Sequence, residues 1–188
     1  MDFVEGLPSF HDKSIIMVVV DRLSKYTHFV PISHPFTTST VAYAFLQHMI
    51  RLHGMPTSIV SDYDKIFTSQ IWKTLFQLQG TQLCMSSSYH SQIDSQTEVV
   101  NHTLKQYLRC FTSDQSKRWL DWLIWSEFSY NTLVHTATKM SPFEAVYGRP
   151  PPNLLSYVSG TTKVQVVDEC LRNHETILKE LHHNFLVA

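Results

Sequence analysis

The run Ile15-Ile16-Met17-Val18-Val19-Val20 constrains this chain more than any other segment. Five of its six residues are β-branched, which favours extended backbone. It lacks the apolar–polar alternation of a half-exposed strand. A strand of this kind must be covered on both faces, as in a layered α/β fold. Asp2-Phe3-Val4 reads as the end of an earlier strand, followed by a turn through Gly6 to Lys13. Residues 26–32 read as a third strand, with Pro31 marking an edge or an end because proline has no N–H to donate.

The period then changes. Thr37 to Ser39 offers helix-capping side chains, and Val41, Phe45, Met49 and Leu52 follow at helical spacing until Gly54 and Pro56. Ser58 to Ser61 is a short strand ending at Asp62. Ser69 caps a second helix, closed by Gly80, and residues 82–85 form a fifth strand. Residues 86–96 are polar and read as a loop. Val100, Leu104, Leu108 and Phe111 make the stripe of a helix over about 97–111, and a Trp-rich helix covers roughly 116–132. Ser141-Pro142-Phe143-Glu144 combines a capping box with proline at the first helical position. Pro150-Pro151-Pro152 marks a boundary. The expected organisation is a core over 1–152 and, over 153–188, a partial linker and helix (164–185) with no complete module. Three strands, then strand–helix units, are the order of an α/β fold with an RNase H-like mixed sheet of about five strands flanked by helices, its first strand truncated.

Composition narrows the function classes. With 43% hydrophobic and 16% charged residues the chain is not of the disordered class. Its net charge of -1 gives no global pull toward nucleic acid, so any such contact must be local. Cys84, Cys110 and Cys170 form no CxxC pair, which argues against a zinc ribbon or a disulfide framework. No apolar run is long enough to span a membrane and no secretory signal is visible, so no membrane partner is expected. His48 and His53 lie five apart, share a helix face poorly and read as ordinary surface residues.

Three carboxylates stand out by position. Asp2 lies in the first strand, Asp62 at the end of the fourth, and Glu98, after 35 intervening residues, in the first turns of a helix. Strand ends and helix starts are where α/β folds place chemistry. Hard divalent cations need several oxygen ligands, and a pair held about 3.5–4 Å apart suits phosphodiester cleavage. On spacing alone, however, an Asp–Glu pair is more often solvated surface.

The surrounding residues add to this. Ile59-Val60-Ser61-Asp62-Tyr63-Asp64-Lys65-Ile66-Phe67-Thr68-Ser69 and Tyr89-His90-Ser91-Gln92-Ile93-Asp94-Ser95-Gln96-Thr97-Glu98-Val99-Val100-Asn101 resemble the two central motifs of retroelement integrases. Met1-Asp2-Phe3-Val4-Glu5-Gly6-Leu7-Pro8 resembles the first-aspartate motif of the gypsy-type branch of LTR retrotransposons, and Ser141 to Pro151 resembles the segment that closes that core. The resemblance covers about residues 1–152. It implies the integrase catalytic core of a gypsy-type LTR retrotransposon, with Asp2, Asp62 and Glu98 as a D,D-35-E triad holding two Mg²⁺ or Mn²⁺ ions. The implied reactions are trimming of element DNA 3′ ends by water, then strand transfer, in which a 3′-hydroxyl attacks target DNA. A homo-oligomer acting on DNA in the nucleus is implied with them.

The helix of Glu98 adds a local argument. Glu98, His102, Lys105 and Arg109 lie within about 40° of one another around the axis, opposite the apolar stripe. One face is thus free to hold metal at one end and phosphates along its length. Lys65, Tyr89 and Gln92 are further DNA-contact candidates, as are Lys117 and Arg118; Trp119 and Trp125 read as core or subunit interface. The sequence departs from the family pattern at His90-Ser91, where His-Pro is usual, at Ser95, where Gly is usual, at Val99, where Arg is usual, and at Tyr63, commonly basic. These departures predict less positive charge and a stiffer loop. They favour the competing reading, a catalytically silent DNA-binding or assembly module derived from an integrase and present as a fragment.

Overall fold

The computed structural model describes residues 1–188 except 63, 86–90, 113–115, 137, 153–156, 174 and 177–188; for 91–95, 110–112 and 116 the backbone alone is described. The chain divides into two compact units, Met1–Pro150 and Pro151–Ala188.

The first unit is built on β1 (Asp2–Val4), β2 (Lys13–Val20) and β3 (Thr27–Ser33), an antiparallel set with β2 in the middle. Asp2 pairs with Val18 and Val4 with Ile16, while Pro31 lies opposite Ile16 on the outer strand β3, where a missing N–H breaks no further ladder. The apolar run of β2 serves two cores. Met17 packs with Val30, Ile32, Phe45, Trp72 and Phe76 on one face. Ile16 and Val18 pack with Val100, Leu104, Trp119 and Leu123 on the other. Burial on both faces is why the run does not alternate with polar residues.

Helix α1 (Thr38–Phe45) is capped by Thr37 and continues through a π-helical stretch, Leu46–Ile50, into α2 (Arg51–His53). The chain turns at Gly54, whose φ of 75° suits a residue without Cβ. It then enters β4 (Ser58–Ser61), which pairs in parallel with β5 (Gln82–Met85). Between them lie α3 (Lys65–Thr68) and α4 (Gln70–Leu78), capped by Asp64 and Ser69. The Met1 ammonium donates to Val60 O at 2.9 Å, which sets the start of β1 alongside the end of β4.

Helix α5 (Ser91–Thr112) and, after a 3-10 turn (Ser116–Arg118), α6 (Trp119–Thr132) cover the second face of the sheet. The expected loop over 86–96 is corrected for 91–96, since helix already runs from Ser91; residues 86–90 lie outside the described residues. Ser95 is therefore in right-handed helical backbone, where glycine would offer no advantage. Trp119 is buried and its indole N–H donates to Pro8 O at 2.7 Å, pinning the β1–β2 connection, as expected of a core residue. Helix α7 (Pro142–Tyr147) has the complete Ser141–Glu144 capping box.

In the second unit residues 165–173 are helical. Asp168 accepts from Gly160 N at 2.9 Å and pairs with Arg172 at 2.6 Å. Residues 177–185 of the expected last helix lie outside the described residues.

Candidate active site

Each candidate carboxylate is carried by a different element. Asp2 is half-buried on β1, where Phe3 N donates to its Oδ1 at 2.7 Å. Asp62 is half-buried directly after β4, and its Oδ1 accepts from Asp64 N at 3.3 Å. Asp64 in turn accepts from Ile66 N at 2.7 Å, so the turn after β4 feeds straight into α3. Glu98 is exposed on α5, between the buried residues Thr97 and Val100.

Two bonds draw these elements together. One is the Met1–Val60 contact between β1 and β4. The other comes from Asn101, three residues beyond Glu98 and therefore close to it around the helix. Its Nδ2 donates to Asp2 Oδ2 at 2.6 Å, tying α5 to β1. Asn101 is buried, and its Oδ1 has no hydrogen-bond partner among the described residues. Sequence reasoning did not single out Asn101; its i+3 spacing from Glu98 was the available signal.

The donors are all oxygen, which is the chemistry a hard divalent cation requires. The orphaned Asn101 Oδ1 next to Asp2 adds to that oxygen-rich character. In donor chemistry the residues fit Mg²⁺ or Mn²⁺. Among the described residues, however, no three His, Cys, Asp or Glu side chains are gathered as a group able to hold a metal ion. The structure brings the three elements together without assembling a three-carboxylate cluster.

The outer face of α5 has the expected pattern. His102, Lys105 and Arg109 are exposed, while Val100, Leu104 and Leu108 are buried against the sheet. Phe111's side chain lies outside what is described. Lys65 is exposed at the start of α3, just past Asp62. Gln92 lies on the first turn of α5 rather than in a loop, and Tyr89 lies outside the described residues. Lys117 is exposed; Arg118 is exposed and pairs with Asp121 at 2.7 Å.

No family model matches the chain. It is 38% identical over 151 residues to the Transposon Tf2-3 polyprotein of Schizosaccharomyces pombe, an alignment covering 80% of this chain and 11% of the polyprotein. The Tf2-4 polyprotein of the same yeast matches to the same extent. The chain thus spans 11% of the length of these curated relatives. Among solved structures it is similar to a chain of the simian T-cell lymphotropic virus intasome in complex with PP2A regulatory subunit B56 gamma, with a TM-score of 0.65 and 19% identity, over 87% of this chain and 59% of that one. It is also similar to the HTLV-2 integrase catalytic core domain in complex with magnesium, with a TM-score of 0.60 and 18% identity, over 77% and 93% of the two chains. The catalytic core domain of BIV integrase matches with a TM-score of 0.58 and 20% identity, over 76% and 90%. At these identities the structural likeness establishes the fold, which is RNase H-like. No helix among the described residues is long and apolar enough to cross a membrane.

Proposed function

We propose, from the likeness to Tf2 retrotransposon polyproteins together with the fold of retroviral integrase cores, that this chain is the integrase core of an LTR retrotransposon and carries out metal-dependent 3′-end processing of element DNA followed by strand transfer. The observation that carries this reading is the bond from Asn101 to Asp2, because it locks the glutamate-bearing helix onto the aspartate-bearing strand. Asp2, Asp62 and Glu98 would hold two Mg²⁺ or Mn²⁺ ions. Bound there, such ions activate a water or a 3′-hydroxyl and stabilise the leaving oxygen. The protein's own part is positioning. Asn101 fixes Asp2, the Asp62–Asp64 turn orients the carboxylate after β4, and β1 and β4 are kept in step by the Met1–Val60 bond. Lys105, with His102 and Arg109 on the same exposed face, would track phosphates away from Glu98, and Lys65, Tyr89 and Gln92 are further candidates for DNA contact. Acting on DNA, the protein would work in the nucleus, and its likeness to integrases favours a homo-oligomer, with 1–152 as the core and 153–188 as a partial linker and helix.

The exposure of Glu98 and the lack of a three-carboxylate group among the described residues favour a second reading, a silent DNA-binding module. A disintegration assay on branched DNA with Mn²⁺ separates the two. Catalysis predicts product that disappears in Asp62→Asn and in Glu98→Gln. The silent module predicts no product from any variant, with binding that weakens steeply as salt rises. Under either reading Lys105→Ala should lower the salt slope by about 1.

A further inference from the structure

The three-stranded set and the β4–β5 pair are separate sheets, joined where the Met1 ammonium donates to Val60 O. Outward from that bond a cavity of about 450 Å³ lies between them, walled by Val19 and Val20 on one side and by Ser58 to Val60 on the other. Its outer end is lined by His28 and His53, whose Nε2 atoms lie 2.9 Å apart, with Glu127 Oε1 3.1 Å from His28 Nδ1. Ile16 and Val18 of the central strand are fully buried, whereas Val20 is only half-buried. The hydrogen-bond register shows what the walls present. Asp21 N donates to Tyr26 O on the β3 side, so by alternation Val20 and Val18 turn their backbone groups away from β3. In agreement, Thr27 N and Phe29 N, opposite Val20 and Val18, bond to α6 instead. Asp2 stands opposite Val18, so β1 begins short of Val20. On β4, Thr57 O accepts from Gln82 N on the β5 side, so Ser58 and Val60 turn the other way, in agreement with the Met1–Val60 bond. Val20, Ser58 and Val60 therefore direct backbone groups into the same gap.

We propose that this gap is a strand-shaped slot for an extended peptide with a free α-carboxylate, added antiparallel to β2 and parallel to β4. The last residue of the peptide pairs with Val20 through both its N–H and its C=O. The residue before it donates to Ser58 O and accepts from Val60 N, two residues back from the Met1–Val60 bond. Strand alternation sets the side chains. The last residue shares the face of Asp2 and Val18. Gln96 lines the cavity, and its Oε1 is buried without a partner among the described residues, which calls for a donor such as serine. The residue before it shares the face of Phe3, where Phe45 and Met49 line the cavity, which suits leucine. Met1 closes the inner end, so the occupant must stop there, with its carboxylate toward the ammonium. A carboxylate contact needs about 2 Å more room than a peptide bond, and Met1, as the terminal residue, can turn its ammonium that far. A filled slot would join the two sheets behind Asp2 and Asp62, whether or not those carboxylates process DNA.

The test is titration of the chain with the peptide acetyl-Val-Thr-Leu-Ser, its carboxylate free, followed by urea midpoint and by residue-resolved amide hydrogen exchange. The midpoint should rise with peptide concentration, which yields Kd. At ten times that Kd the Val20 and Val60 amides should exchange about tenfold more slowly. The same peptide N-methylated at leucine cannot donate to Ser58 O and should bind about tenfold more weakly. No rise in midpoint at millimolar peptide, binding that leaves the Val20 and Val60 amides unchanged, or equal binding of the N-methylated peptide overturns the proposal.

Discussion

Helices α5 and α6 lie on the same face of the same sheet, yet they dock in opposite ways. Helix α6 laces the outer strand. The Asn131 amide accepts from Thr27 N and donates to Thr27 O, both at 2.8 Å, as a neighbouring strand would, and Glu127 takes Phe29 N. The free backbone groups at the start of β3 are thereby used up, which closes an edge otherwise open to another strand. Helix α5 instead sits over the middle of the sheet on Val100, Leu104 and Leu108, and the Asn101–Asp2 bond ties it to β1. Around that tie, Asn101 Oδ1 and Gln96 Oε1 are buried without partners among the described residues. Both oxygens flank Glu98 along the helix, so this unused bonding capacity lies beside the candidate site. The contrast separates a seam built to hold from a seam with bonding capacity to spare.

The largest test of that contrast is Asn131→Ala. It strips partners from two backbone groups of fully buried Thr27, at about 1–3 kcal/mol for each group, and should lower the urea midpoint accordingly. Asn101→Ala should cost only about 1 kcal/mol, since half of its amide is already unpaired. Its activity in the disintegration assay should nevertheless fall about 10- to 100-fold, as expected for a group that orients a metal ligand. Equal stability losses for the two variants would erase the distinction.

The mildest test is alkaline pH. Burial pushes Tyr107 of α5 up to about 12, and it raises Tyr130 of α6 as well. Both folded values lie above the ordinary value of 10.0, so the unfolded chain loses these protons first. Their contribution is complete below pH 10 and is lost as pH rises from 10 toward 12. Urea midpoints across that range should decline, and Tyr107→Phe should flatten the decline.

Much of this was readable from the chain because it depends on local pattern. The β2 run, the capping box at Ser141 and the two faces of α5 beyond Glu98 all follow from period and propensity. The first turns of α5 were not readable. Between Ser91 and Gln96 the only apolar residue is Ile93, so no stripe announces a helix. His28, His53 and Glu127 escaped for a different reason. They stand 25 and 99 residues from one another along the chain and meet only through tertiary folding.

The widened turn at Leu46–Ile50 sets a length rule for its segment. A residue removed from α1, where the coil is already regular, would rotate everything downstream by about 100°, whereas one removed from the widened turn would let it tighten into regular α-helix with the downstream phase kept. After a deletion in α1 His53 would swing away from His28 although neither side chain had been touched. A single deletion should therefore be borne by the widened turn far more easily than by α1, whose residue count works as a phase setting.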